Sequence, residues 1–158
     1  DTTTSPAGKV IPGKMQVRKD LTEIMAEHHI PYVAQTLAMT NFKDLYEKAE
    51  KAIYTEGPAF LNVMAPCPRG WGYATEDLMK INKLAADTCY WPLYEVVDGK
   101  YKITYKPVKK LPIEEFLKPQ KRFKHMFKPG NEWMIEEFQK EVDKRWEALL
   151  NLEKLSVE

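Results

Sequence analysis

The sequence predicts an α/β fold, and three observations carry that expectation. Residues 59–65 form an apolar, β-rich run of the kind expected for a strand buried on both faces of a parallel sheet. Segments with helical apolar spacing lie on both sides of it. Further on, the Asp98-Gly99 step joins two β-rich stretches, the strongest short-range signal for a hairpin. The chain has 158 residues, of which 44% are apolar and 11% aromatic, enough to bury a real core.

Taken in order, residues 1–17 carry Thr, Ser, Pro6, Gly8, Pro12 and Gly13 without any apolar period and read as an extended loop. Asp20, three residues before Glu23, predicts a helix start of the capping-box type, with Leu21, Ile24, Met25 and His28 at helical spacing. Tyr32, Val33 and Ala34 form a short strand. From Asn41 a second helix is predicted, its apolar face made of Phe42, Leu45, Tyr46, Ala49, Ala52 and Ile53. Gly57-Pro58 stops it before the buried strand. Thr75 is placed to cap a third helix, with Leu78, Ile81, Ala85 and Thr88 on one face. The hairpin comes next.

After Lys106 the character changes. Pro107, Pro112, Pro119 and Pro129 divide a segment with only short apolar stretches, which reads as an arm rather than as core. Between 106 and 128 it carries eight Lys or Arg against Glu114 and Glu115, a local charge of +6 in a chain whose net charge is +1. Phe123, His125 and Phe127 among these cations would allow nucleic-acid stacking, but solvated lysines on an arm that docks onto a partner subunit are the better account. A last long helix from Asn131 places Met134, Phe138, Val142, Trp146 and Leu149 on one stripe that must pack on something. The chain therefore divides at 105/106, with an α/β part over 1–105 and an arm with a terminal helix over 106–158.

No apolar run approaches the roughly 18 residues that span a bilayer, and a soluble, cytoplasmic protein is expected. The balanced charge advertises neither nucleic acid nor an anionic membrane. Two cysteines, Cys67 and Cys89, are too few for a disulfide framework or for a complete metal site within this chain. Cys67 lies in Ala65-Pro66-Cys67-Pro68-Arg69-Gly70-Trp71, just past the carboxyl end of the buried strand, where ligands gather in open α/β sheets. Pro66 and Pro68 fix the backbone on both sides of the thiol. A small packed side chain is one account of Cys67; a soft ligand to zinc or an iron–sulfur cluster, with about three partners from elsewhere, is the other. Cys89 falls among aromatic residues near a helix end and reads as packing. His28 and His29 are adjacent on a helix and point apart, so helix termination accounts for them better than a ligand pair. Gly-x-Gly-x-x-Gly, P-loop, Gly-x-Ser-x-Gly and His-Glu-x-x-His motifs are all absent.

Several segments, in order, resemble one family: Thr2-Thr3-Thr4-Ser5-Pro6-Ala7-Gly8-Lys9, Lys19-Asp20-Leu21, Ile30-Pro31-Tyr32-Val33-Ala34 and Gly57-Pro58-Ala59-Phe60. They continue through the Cys67 segment, Trp91-Pro92-Leu93-Tyr94-Glu95-Val96 and Phe116-Leu117-Lys118-Pro119-Gln120. Together they resemble the carboxyl-terminal half of the β subunit of pyruvate:ferredoxin oxidoreductase (pyruvate synthase). The resemblance implies part of a thiamine-diphosphate-binding doubly wound domain. It also implies an assembly that uses thiamine diphosphate, Mg²⁺ and coenzyme A to convert pyruvate to acetyl-CoA and CO2 and passes electrons through [4Fe-4S] clusters to ferredoxin, with no nucleic acid or membrane partner. In that family a fourth cluster ligand comes from the Ala-Pro-Cys-Pro segment, which maps onto Cys67. The Gly-Asp-Gly region, the Asn-containing Mg²⁺ loop and the other three cysteines of the family lie upstream of the segment matching Asp1. On this reading the chain is half a subunit, inactive alone, with no catalytic or thiamine-binding residue of its own. A branched-chain 2-oxoacid oxidoreductase subunit and a non-catalytic assembly module are the alternatives.

Overall fold

The computed structural model describes residues 16–157. The expected loop over 1–17 lies almost wholly outside them. The elements run α1 (Leu21–Ala26), β1 (Tyr32–Leu37), α2 (Phe42–Tyr54), β2 (Ala59–Met64) and a short α3 (Pro68–Trp71). A 3₁₀ turn (Thr75–Asp77) leads into α4 (Leu78–Asp87), and β3 (Leu93–Val97) and β4 (Lys100–Tyr105) follow. The chain continues through α5 (Ile113–Leu117) and a 3₁₀ segment (Lys121–Phe127) to α6 (Glu132–Val157). The alternation of helix and strand is the expected one.

The strands form a mixed four-stranded sheet in the order β2-β1-β3-β4. β1 and β2 are parallel, with Val33 opposite Phe60, while β1/β3 and β3/β4 are antiparallel. The β3–β4 turn is Asp98-Gly99, both with positive φ (+49° and +79°), the backbone that a two-residue hairpin with the twist of its strands requires. Gly99 adopts it without steric cost.

The strand buried along its whole length is β1, all six residues of which are buried. β2 was expected in that place. Among the described residues it is instead an edge strand, pairing with β1 alone, and Ala59 and Val63 are exposed. Its apolar composition suits a central strand, but no neighbouring strand covers its second edge here.

Two apolar clusters hold the fold. One gathers at the carboxyl ends of β1 and β2, where Leu37 and Met64 meet Ile81, Ala85, Trp91 and Leu93. Ile113, Phe116, Leu117, Phe123 and Met126 complete it. The segment expected to be an arm thus supplies five core side chains, at a gain of about 1.5–3 kcal/mol for each large one buried. Its apolar runs are too short to show a period, because a five-residue helix and a 3₁₀ segment each offer barely one turn. The second cluster lies against one face of the sheet, with Ala26, Val33, Tyr94, Val96, Ile103 and Leu149.

α6 buries the expected stripe: Val142 and Leu149 are buried, and Met134, Phe138 and Trp146 pack on the two clusters. Its far end also closes one side of the sheet. Ser156 Oγ accepts from the Tyr101 amide at 2.9 Å, and Glu153 Oε1 accepts from the Ile103 amide at 2.7 Å. Side chains of a helix thereby satisfy the outer donors of an edge strand.

Three expected details differ. α1 is capped by Asp20, whose carboxylate accepts from the Glu23 amide at 3.3 Å. However, α1 buries Thr22 and Ala26 rather than Leu21 and Ile24, which are exposed. The third helix begins at Leu78, and Thr75 starts a 3₁₀ turn instead of capping it. α2 has the predicted length but is turned about its axis, so that of its predicted face Leu45, Ala49 and Ala52 are only half-buried. Phe42, Tyr46 and Ile53 face outward, while Lys48, on the other side of the helix, is 1% exposed. A buried polar network holds α2 this way round: Asp44 accepts from Thr36, and Lys48 donates to Asp44, the Gln35 carbonyl and Thr104. Lys51 binds Glu95, which also accepts from Tyr32.

Candidate functional site

β2 ends at Met64 and delivers the chain through buried Pro66 to Cys67, which is exposed. Cys67 is the N-cap of α3, and Pro68 is the first residue of that helix. Proline is favoured there because its fixed φ suits the first helical position, where an amide donor would have no partner. The cap is a thiol where Ser, Thr, Asp or Asn is usual. Its Sγ accepts from the Gly70 amide at 3.3 Å.

The turn then folds back tightly. The amides of Trp71, Gly72 and Tyr73 donate to the Cys67 and Pro68 carbonyls, at 2.9, 2.8 and 3.2 Å. Gly72 ends α3 in the left-handed region, with φ +73°. Its carbonyl accepts from the Lys121 amide at 3.1 Å, and the Lys121 side chain packs so closely that a Cβ on Gly72 would stand 2.8 Å from the Lys121 Cβ. The loop bearing the thiol is therefore seated on the 3₁₀ segment fifty residues later.

Arg122 completes the seat. Its guanidinium stacks 3.9 Å from the centre of the Trp71 ring, and its Nε donates to Gln120 Oε1 at 2.8 Å. Gln120 is itself buried and donates to the Phe116 carbonyl. Burial pushes the Arg122 pKa down to about 10. At neutral pH the group is a cation in contact with a π face, a favourable arrangement when partly desolvated. Tyr73 lies against Trp71, ring centres 6.3 Å apart, and its hydroxyl oxygen is buried with no hydrogen-bond partner among the described residues. Burial, and then the nearby Cys67, raise the Tyr73 pKa, while Arg122 opposes them.

This arrangement can present one sulfur to a metal centre, with a backbone N–H aimed at it. Among the described residues no group of three His, Cys, Asp or Glu side chains could hold a metal ion. Cys67 alone could supply one sulfur donor. Cys89 is buried, and burial raises its pKa to about 11, which is the behaviour of a packed thiol. His28 bonds the Ile24 carbonyl through Nδ1 at 2.7 Å, at the end of α1. Gly72, Tyr73 and Arg122 are the site residues that sequence reasoning missed. The aromatics Trp71 and Tyr73, flanking Gly72, were the available signal, but their partners lie too far along the chain for spacing to reveal them. No helix among the described residues is long and apolar enough to cross a membrane.

No family model matches the chain. Comparison with curated proteins does find relatives. The chain is 45% identical to pyruvate synthase subunit PorB of Thermotoga maritima over 99% of its length. It is 45% identical over 94% of its length to the subunit of that name from Methanocaldococcus jannaschii. It is 42% identical over 96% of its length to ketoisovalerate oxidoreductase subunit VorB of Pyrococcus abyssi. In each case the chain spans about half the length of the relative, 48%.

Proposed function

We propose, from the premise that the chain is homologous to the carboxyl-terminal half of pyruvate synthase subunit PorB, that it works as one part of a 2-oxoacid:ferredoxin oxidoreductase. Pyruvate is the substrate. The assembled enzyme uses thiamine diphosphate, Mg²⁺ and coenzyme A, forms acetyl-CoA and CO2, and passes electrons through [4Fe-4S] clusters to ferredoxin. Residues 1–105 belong to its thiamine-diphosphate-binding domain, and 106–158 add contacts to sister subunits while contributing to this chain's own core.

Within that assembly Cys67 is one thiolate ligand of a [4Fe-4S] cluster, the other ligands coming from outside the described residues. The observation that carries this is the exposed Sγ at the carboxyl end of β2, held by the Gly70 N–H. A cluster bound there supplies one-electron transfer. The protein's part is to hold the thiol in one orientation. Pro66 and Pro68 restrict its backbone, the Gly70 amide donates to its sulfur, and the Trp71–Arg122 stack fixes the loop on the core.

The test is Cys67→Ala in the assembled enzyme. Loss of iron and of cluster absorption near roughly 400 nm, with the fold retained by circular dichroism, is expected. Unchanged iron content would sink the ligand assignment. A second reading, a branched-chain 2-oxoacid oxidoreductase, is favoured by the 42% identity to the Pyrococcus abyssi relative. Comparing turnover of the complex on pyruvate and on 2-ketoisovalerate decides between the two.

A further inference from the structure

We propose that the outward face of α2 and the open edge of β2 together form the surface on which the amino-terminal half of the subunit docks. The inference rests on the reading that this chain functions joined to such a half, and it adds where the joint lies.

Two independent features meet at this place. The first is the orientation of α2. Phe42, Tyr46 and Ile53, with the half-buried Ala49 between them, lie on one stripe, and Phe42, Tyr46 and Ile53 are 59%, 73% and 77% exposed. Tyr54 beside them is 79% exposed. Asp44, Lys48 and Lys51 lie on the opposite side and bind Thr36, Gln35, Thr104 and Glu95. An amphipathic helix in water turns its apolar stripe to the core. Here the polar stripe is fixed against the sheet, so the apolar stripe needs a second body over it. Elsewhere Leu21 and Ile24 form a smaller exposed pair on the short α1, and Met79 and Val108 stand singly, which is ordinary for a protein surface.

The second feature is the sheet edge. β4, the strand at one end, has its outer amides bonded by Ser156 and Glu153 of α6. β2, at the other end, pairs only with β1 among the described residues, and no such device covers it. It has none of the charges or prolines that blunt a solvent-facing edge, being Ala-Phe-Leu-Asn-Val-Met. Leu61 and Val63 project to the side of the sheet that α2 covers, since Leu61 pairs with Ala34 and Val63 with Thr36. Only the four residues 55–58 separate the exposed end of α2 from the start of β2. The stripe and the edge are therefore neighbours.

The occupant follows from length. The chain spans 48% of the relatives it matches, and the match is to their carboxyl-terminal half. About as many residues again precede it in those proteins. A polypeptide of that size, covalently joined to this half, can both add a strand to β2 and lay an apolar face over α2.

The experiment co-expresses the 158-residue chain, affinity-tagged, with the half of Thermotoga maritima subunit PorB that precedes the matched segment. Size-exclusion chromatography of the tagged material should give a one-to-one complex. Hydrogen exchange should then show the β2 amides slowed at least tenfold relative to the chain alone. Tyr46→Glu with Ile53→Glu should abolish the complex while leaving the circular dichroism of the free chain unchanged. Met79→Glu, on α4, should not affect complex formation. Failure to recover any complex, a complex that survives both α2 substitutions, or unchanged exchange at β2 overturns the proposal. So does a stable homodimer of the chain alone that those substitutions disperse, because it makes a second copy the occupant. The Cys67 experiment reads iron and this one reads assembly, so a failed docking surface is told apart from a failed ligand assignment.

Discussion

Lys48 Nζ sits 2.8 Å from the Asp44 carboxylate, one helical turn apart on α2, in a layer closed off between the helix and the sheet. Lys48 is buried and Asp44 half-buried, and burial lowers the Lys48 pKa against the opposing pull of Asp44. Removing one partner of such a pair leaves a buried charge uncompensated, which costs far more than the pair itself contributes. Lys48→Met should therefore destabilise the chain by about 3–5 kcal/mol. The double variant Lys48→Met with Asp44→Leu should recover most of that loss. Urea unfolding midpoints of the wild type, both single variants and the double variant form the cycle. Purely additive losses would show that the two groups do not depend on each other.

Tyrosines on a half-buried and a buried carboxylate set the alkaline limit. Tyr94 and Tyr101 both donate to Glu23, at 2.5 and 3.0 Å, and Tyr32 donates to Glu95 at 3.0 Å. Burial first, and the neighbouring carboxylate second, raise all three phenol pKa values far above the ordinary value. In the unfolded chain each ionises near pH ~10. Their contribution is thus fully present below that pH and is lost as pH rises above it, because only the unfolded state releases the protons. Lys48 and Arg122, with lowered pKa values, act in the opposite sense, while Tyr73, Tyr105 and Cys89, with raised ones, add to the loss. The unfolding midpoint should fall between pH 9.5 and 11, estimated as about one unit around the free phenol value. Tyr94→Phe should flatten the slope; an unchanged slope would count against the assignment.

Glu23 shows what those phenols need. Burial raises its pKa, with the two tyrosine hydrogen bonds opposing. Glu23→Ala strands two partly buried hydroxyls and should cost about 1–3 kcal/mol. Glu23→Gln keeps an acceptor without the charge and should cost less than half as much. Thermal unfolding of the two variants separates them.

The Gly72 contact with Lys121 predicts a local lesion. Gly72→Ala adds a methyl 2.8 Å from the Lys121 Cβ at a residue with φ +73°. Backbone strain alone costs about 1–3 kcal/mol, before the clash is counted. The Cys67 loop should then detach from the 3₁₀ segment. Quenching of Trp71 fluorescence by acrylamide, read in a background where the other three tryptophans are Phe, should increase. Unchanged quenching and stability together would contradict the packing described.

Tyr73 yields the opposite sign. Its buried hydroxyl has no partner among the described residues, so Tyr73→Phe removes a desolvated polar group and should leave the isolated chain equally stable or more stable by up to about 1 kcal/mol. A loss above that size would mean the hydroxyl is bonded in solution.

Local chemistry was legible in the sequence wherever neighbours along the chain decide the outcome. Asp20 caps α1, Asp98-Gly99 makes the hairpin, Pro66 and Pro68 bracket an exposed Cys67, and α6 buries its predicted stripe. What only the tertiary structure decided is which side of each amphipathic element is covered. Periodicity records that α2 has an apolar face and a polar one; it does not record that Thr36, Glu95 and Thr104 await the polar one. The same limit hid the core role of residues 113–126, whose short apolar runs meet partners from β1, β2 and α4, and the seating of the Cys67 loop on Lys121 and Arg122. Sequence spacing reports the geometry of one element at a time, whereas burial and charge pairing are set by what another part of the chain brings to it.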